Sequence, residues 1–123
     1  MVLKTARSRV DVMFRAFSDR TRLRVLHLLS GRDELCVCDL VRVLGVPQPK
    51  VSRHLAYLRK AGLVTARKEG LWTYYALAPA HTPFHRKLLD CLSCCLGDVP
   101  ELARDARVLG DFKNGCAGGN CCD

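Results

Sequence analysis

No stretch of this 123-residue chain approaches the roughly 20 consecutive apolar residues that a membrane span requires, so no membrane span is expected. A secretory leader is not expected either. The first residues carry Lys4, Arg7 and Arg9 without a long apolar core, which makes the cytoplasm the expected compartment. No internal repeat is visible. No cysteine sits in a glycine-rich phosphate-cradling loop, and no Ser/His/Asp or paired-carboxylate constellation is present, so an enzyme such as a thiol-based reductase is not expected. Acidic residues are scarce beside basic ones, 12 against 20, for a net charge of +8.

What the chain does hold is unevenly placed. Residues 1–79 carry 15 Lys and Arg against 6 Asp and Glu, whereas residues 80–123 carry 5 against 6. The basic part is the candidate for phosphate contact. Of the eight cysteines, Cys91, Cys94, Cys95, Cys116, Cys121 and Cys122 lie in the second part, and Cys36 and Cys38 in the first. So many cysteines in a short secreted domain would read as disulfides. In the cytoplasm they are expected reduced and open to metal.

The apolar period predicts a mainly α fold with a small β-hairpin. Val10, Met13, Phe14 and Phe17 mark a first helix, and Ser18 or Asp19 caps a second carrying Leu23, Leu26, Leu28 and Leu29 up to Gly31. A short third helix runs from Cys36 to Leu44 and stops at Gly45. Val51, Leu55 and Leu58 mark a fourth, with Pro49 in its first turn. Leu63–Lys68 and Trp72–Leu77 flank Glu69-Gly70 as a hairpin. Phe84, Leu88, Leu89, Leu92 and Leu96 give a fifth helix, and one through Leu102, Ala106 and Leu109 is the weakest of the expected elements. The third and fourth helices with the hairpin read as a winged helix-turn-helix. Residues 1–97 are taken as the DNA-binding and dimerisation domain. Residues 98–123 are taken as a cysteine-containing tail, partly disordered, with three glycines after residue 114.

With Val51, Leu55 and Leu58 turned inward, the fourth helix presents Gln48, Lys50, Ser52, Arg53, Tyr57 and Lys60. These side chains suit phosphates and base edges of double-stranded DNA, and Gln48 and Arg53, nearer the helix start, are the expected base readers. Arg67 and Lys68, expected at the tip of the hairpin, suit phosphate or minor-groove contact, and His54 belongs nearer the core. A homodimer is expected, because Phe84, Leu88 and Leu92 with Val10, Met13 and Phe17 leave too much apolar surface for one short chain to bury.

Cys36 and Cys38 directly precede this reading unit. On a regular helix, residues two apart point about 200° from one another, so two sulfurs there reach one ion only if the helix start unwinds. Such unwinding would carry a signal to the neighbouring recognition helix. Cys91, Cys94 and Cys95 share one helical face, either as a three-thiolate site or as cysteine padding of an apolar seam. Cys116, Cys121 and Cys122 have the look of a metal-catching tail, and Cys121 and Cys122 join the candidate ligands. On the tail alone, a metal buffer is the rival reading. His81, His85 and Asp90 form an incomplete nitrogen/oxygen zinc pattern.

The runs Phe17-Ser-Asp-Arg-Thr-Arg-Leu-Arg-Val-Leu26, Glu34-Leu-Cys-Val-Cys-Asp-Leu40, Pro47-Gln-Pro-Lys-Val-Ser-Arg-His-Leu55, Gly62-Leu-Val and Gly70-Leu-Trp-Thr-Tyr-Tyr75 are together specific. Over residues 10–80 the chain resembles the ArsR/SmtB family of winged-helix metalloregulators, and within it the arsenic-responsive repressors. The resemblance implies a homodimer on a palindromic operator, released by As(III) or Sb(III), with organic arsenicals, Cd(II), Pb(II) or thiol oxidation as alternative inducers. Two positions depart from the pattern. Val41 stands where the family carries a third cysteine, and Pro47 where it commonly has a serine, which removes a helix cap.

Overall fold

Asp19 ends one helix and starts the next. Its extended backbone (φ −95°, ψ 131°) breaks α1 (Val2–Phe17), and its carboxylate accepts from the Arg22 N–H at 3.0 Å to cap α2 (Arg20–Ser30). The computed structural model describes residues 2–94, 96 and 98–111, with side chains over 10–94, 96 and 98–110. After α2 come β1 (Leu35–Cys36), α3 (Val37–Leu44), α4 (Gln48–Lys60), β2 (Val64–Glu69), β3 (Trp72–Leu77), α5 (Pro83–Cys94) and α6 (Pro100–Asp111). Gly45, at φ 67°, ends α3 in the left-handed conformation that a side chain would strain. Pro47 precedes α4 without a side-chain cap, as its lack of a hydroxyl dictates.

Strand β1 is a finding that periodicity does not reveal, since two residues hold no period. It pairs with β3, Leu35 opposite Tyr75 and Cys36 opposite Tyr74, and gives an antiparallel sheet in the order β1-β3-β2. Cys36 therefore lies before α3 rather than on it. The β2–β3 hairpin turns at Gly70-Leu71 and forms the wing beside the α3–turn–α4 unit.

The core collects one face of each helix. Val25, Leu26, Leu40, Leu55, Leu58 and Leu63 have no exposed surface, and each contributes about 1.5–3 kcal/mol of apolar burial. Leu102 and Leu109 are buried too, and Asp105 of α6 pairs with Arg24 of α2. The packed unit thus runs through α6 to residue 111, past the boundary expected at residue 97, because α6 has an apolar face that α2 can cover. Residues 112–123, with Cys116, Cys121 and Cys122, lie outside the described residues, as does Cys95.

The face expected to pair two copies is partly spent within one. Met13 and Leu92 are 1% exposed, so they pack in the single chain's own core. The surface left on α1 and α5 comprises the half-buried Val10, Phe17, Phe84 and Leu88, joined by Phe14, which is 55% exposed with its ring edge-on to Phe84 at 5.1 Å. Among the described residues no helix is long and apolar enough to cross a membrane.

Candidate metal centre and nucleic-acid interface

Helix α4 turns Val51, Leu55 and Leu58 fully inward and leaves Gln48, Lys50, Ser52, Arg53 and Lys60 exposed, as the spacing predicts. Tyr57 is exposed too, at 38%, with one face of its ring covered. The Arg22 guanidinium lies 4.0 Å over its ring, itself held by the carbonyls of Ala16 and Arg15, so the phenol stands against α2. His54 is half-buried, 3.9 Å from Asp19, and burial holds its imidazole below the usual pKa.

On the wing, Lys68 is exposed. Arg67 is not at the tip but two residues back on β2. It donates from Nε and Nη2 to the two carboxylate oxygens of Glu34, each at 2.8 Å, and from Nη1 to Glu69. Its guanidinium also lies 4.8 Å over the Tyr74 ring. These partners hold the Arg67 pKa above its usual value and the Glu34 carboxyl below its own. A phosphate would have to compete with two carboxylates for this cation, which the sequence period could not show.

Cys36 and Cys38 are 1% and 6% exposed, with Tyr74 packed against them. Their sulfurs and a carboxylate oxygen of Asp39 lie within 4.8 Å of one another. This corrects the helical argument for the pair. Because Cys36 has extended backbone (φ −84°, ψ 162°), its side chain is not fixed about 200° from that of Cys38, and the sulfurs converge with α3 intact. Both sulfurs are disulfide-bonded in the structure, contrary to the reduced state expected, and a thiolate site requires their reduced form.

Asp39 is the residue that sequence reasoning missed. An acidic residue in a helix's first turn reads as a partner for the helix dipole. Here its Oδ2 lies 3.5 Å from the Cys36 sulfur, and its buried Oδ1 has no hydrogen-bond partner. Burial pushes its carboxyl pKa up. Val41, at the family's third-cysteine position, is half-buried against the core.

Of the helical cysteines, Cys91 is half-buried and Cys94 exposed, with the Ser93 hydroxyl 3.5 Å from the Cys94 sulfur. The rings of His81 and His85 are 6.1 Å apart. Among the described residues, Cys36, Cys38 and Asp39 are the one group of three metal-binding side chains that converge.

Residues 19–66, from the cap of α2 into the wing, match the arsR family of bacterial regulatory proteins. Over 110 residues the chain is 43% identical to the arsenical resistance operon repressor of Escherichia coli (strain K12), covering 85% of this chain and 93% of that protein. It is 39% identical over 72 residues to a cadmium resistance transcriptional regulatory protein CadC homolog of Staphylococcus aureus, covering 58% and 60% respectively. Among solved structures, HlyU from Vibrio cholerae N16961 superposes with a TM-score of 0.62 at 31% identity, over 71% of this chain and 90% of that one. With this helix-turn-helix, this wing and these relatives, the chain belongs to the arsR family of bacterial regulatory proteins, a family of DNA-binding regulators and not of enzymes.

Proposed function

We propose that this protein is a metal-responsive transcriptional repressor of the cytoplasm. It binds operator DNA as a homodimer and dissociates when As(III) or Sb(III) is captured by Cys36 and Cys38. The observation that carries this reading is the convergence of two buried sulfurs beside the helix that precedes α4. The donors fit the ligand. Thiolates are soft and select soft ions, and the buried, unpartnered Asp39 oxygen offers a third contact where the family's third cysteine is Val41. When bound, As(III) would supply a soft electrophilic centre held by the Cys36 and Cys38 sulfurs, each thiol proton leaving as water with a hydroxide of the arsenite. The chain's own residues do the rest: Gln48, Lys50, Ser52, Arg53 and Lys60 face the major groove, Lys68 meets a phosphate, and the α1/α5 surface around Phe14 and Phe84 joins two copies.

The Asp39 oxygen also supports a second reading. Two sulfurs and a hard oxygen suit a divalent ion such as Cd(II) or Pb(II), and the similarity to a cadmium resistance regulator points the same way. A titration of the operator complex decides. Reduced protein on labelled operator is challenged with arsenite, antimonite, methylarsenite, Cd(II) and Zn(II). Release at the lowest concentration of arsenite or antimonite supports the first reading, and release by Cd(II) alone supports the second. An operator complex indifferent to all five overturns both.

A further inference from the structure

Cys36, Tyr74 and Arg67 stand in one row across the sheet. Cys36 is opposite Tyr74 in the β1–β3 register, and Arg67 is opposite Tyr74 in the β2–β3 register. Opposed residues on neighbouring strands share a face, and the contacts follow: Tyr74 packs against the cluster of Cys36 and Cys38, and the Arg67 guanidinium covers the Tyr74 ring. Glu34, two residues before Cys36 and so on the same side, closes the row with its paired hydrogen bonds to Arg67.

We propose that this row is the lever from metal capture to DNA, with the Glu34–Arg67 pair fastening the wing to the sensor strand. Arg67 is then a positioning residue for the wing, and Lys68 is the wing's phosphate contact. The inference rests on the reading of Cys36 and Cys38 as the sensing pair. Its charge balance is plain. Arg67 is shared by two carboxylates, so the trio carries a net negative charge that favours its own closure over a phosphate. Its mechanics are equally local. Only two residues of β1 are registered on β3, so a change of partners at the Cys36 sulfur alters the reach of Glu34 and with it the seating of β2. A ligand shifts such an equilibrium only as far as it binds one arrangement better than the other.

The test compares Glu34→Gln, Arg67→Gln and the double variant in the full-length reduced protein. Operator Kd is measured without metal and at saturating arsenite, and Cd(II) capture is followed separately by thiolate-to-metal charge-transfer absorbance. The arsenite-dependent change in Kd should shrink roughly two- to fivefold in each single variant, the size an exposed ion pair supports, and no further in the double. Cd(II) capture should stay at the wild-type level, and hydrogen exchange of the β3 amides should rise on arsenite addition in the wild type alone. Suppose instead that Arg67→Gln weakens operator binding equally with and without arsenite and flattens its salt dependence, while Glu34→Gln matches wild type. Arg67 is then a phosphate contact and the lever is wrong. A wild-type complex that captures Cd(II) but releases DNA with neither ion overturns the sensing assignment itself.

Discussion

Arg24 of α2 clasps both carboxylate oxygens of Asp105 on α6, at 2.8 and 2.9 Å, and the carboxylate has no exposed surface. Those hydrogen bonds hold the Arg24 guanidinium above its usual pKa. Breaking one side strands a buried charge. Arg24→Met should lower unfolding stability by about 3–5 kcal/mol, and adding Asp105→Leu should restore much of the loss, since apolar pairs commonly replace buried ion pairs well. Urea unfolding of the wild type and the two variants measures both effects.

The second prediction concerns DNA. Arg53→Ala should weaken operator binding by roughly 1–3 kcal/mol and leave binding to unrelated duplexes nearly unchanged. Lys68→Ala should weaken all sequences alike, with a shallower salt slope. Equal operator affinity for Arg53→Ala and wild type, at unchanged circular dichroism, removes α4 from the groove.

The third prediction concerns the sulfurs. Cys36→Ser with Cys38→Ser keeps side-chain size but removes the soft donors, so this variant should bind operator normally and stay bound in arsenite. Cys91→Ser with Cys94→Ser should behave as wild type. If release instead follows the second pair, helix α5 senses the ion. Truncation at residue 114 tests the tail's cysteines in the same assay and is expected to leave release unchanged.

The fourth prediction concerns pH. Burial pushes the imidazoles of His27 and His54 below their usual pKa; Arg22, Lys50 and Arg53 reinforce this at His54 and Asp19 opposes it, while Asp105 opposes it at His27. A depressed histidine pKa favours the neutral form in the fold. Stability from these two groups is therefore full above their unfolded pKa of about 6.5 and is lost as the pH falls through their folded values. The urea midpoint should drop on acidification from near pH 7.5 to near pH 5.5, and His54→Gln should flatten that drop. A midpoint that rises on acidification contradicts the assignment.

Long amphipathic elements were legible in the sequence because their periods repeat. The stripe Val51, Leu55 and Leu58 places α4 and its outward face, and Gly45 marks the end of α3. Strand β1 was not, because two residues repeat nothing, and the misplacement of Cys36 on a helix followed from it. Glu34, which pairs with Arg67, and Arg22, which covers Tyr57, lie tens of residues from them, and no spacing rule reaches that far. Asp39 was hidden for a related reason, since burial of a polar group is a tertiary property.

Burial of the two sulfurs has a kinetic consequence. On the proposed sensing role, Cys36 and Cys38, at 1% and 6% exposure, would meet an ion only when the segment around them opens, and a two-residue ladder opens far more often than the whole protein unfolds. Induction then has a speed limit set by the protein. As inducer concentration climbs, the observed rate of operator release should level off at the opening rate of β1, a plateau that stopped-flow anisotropy can read directly.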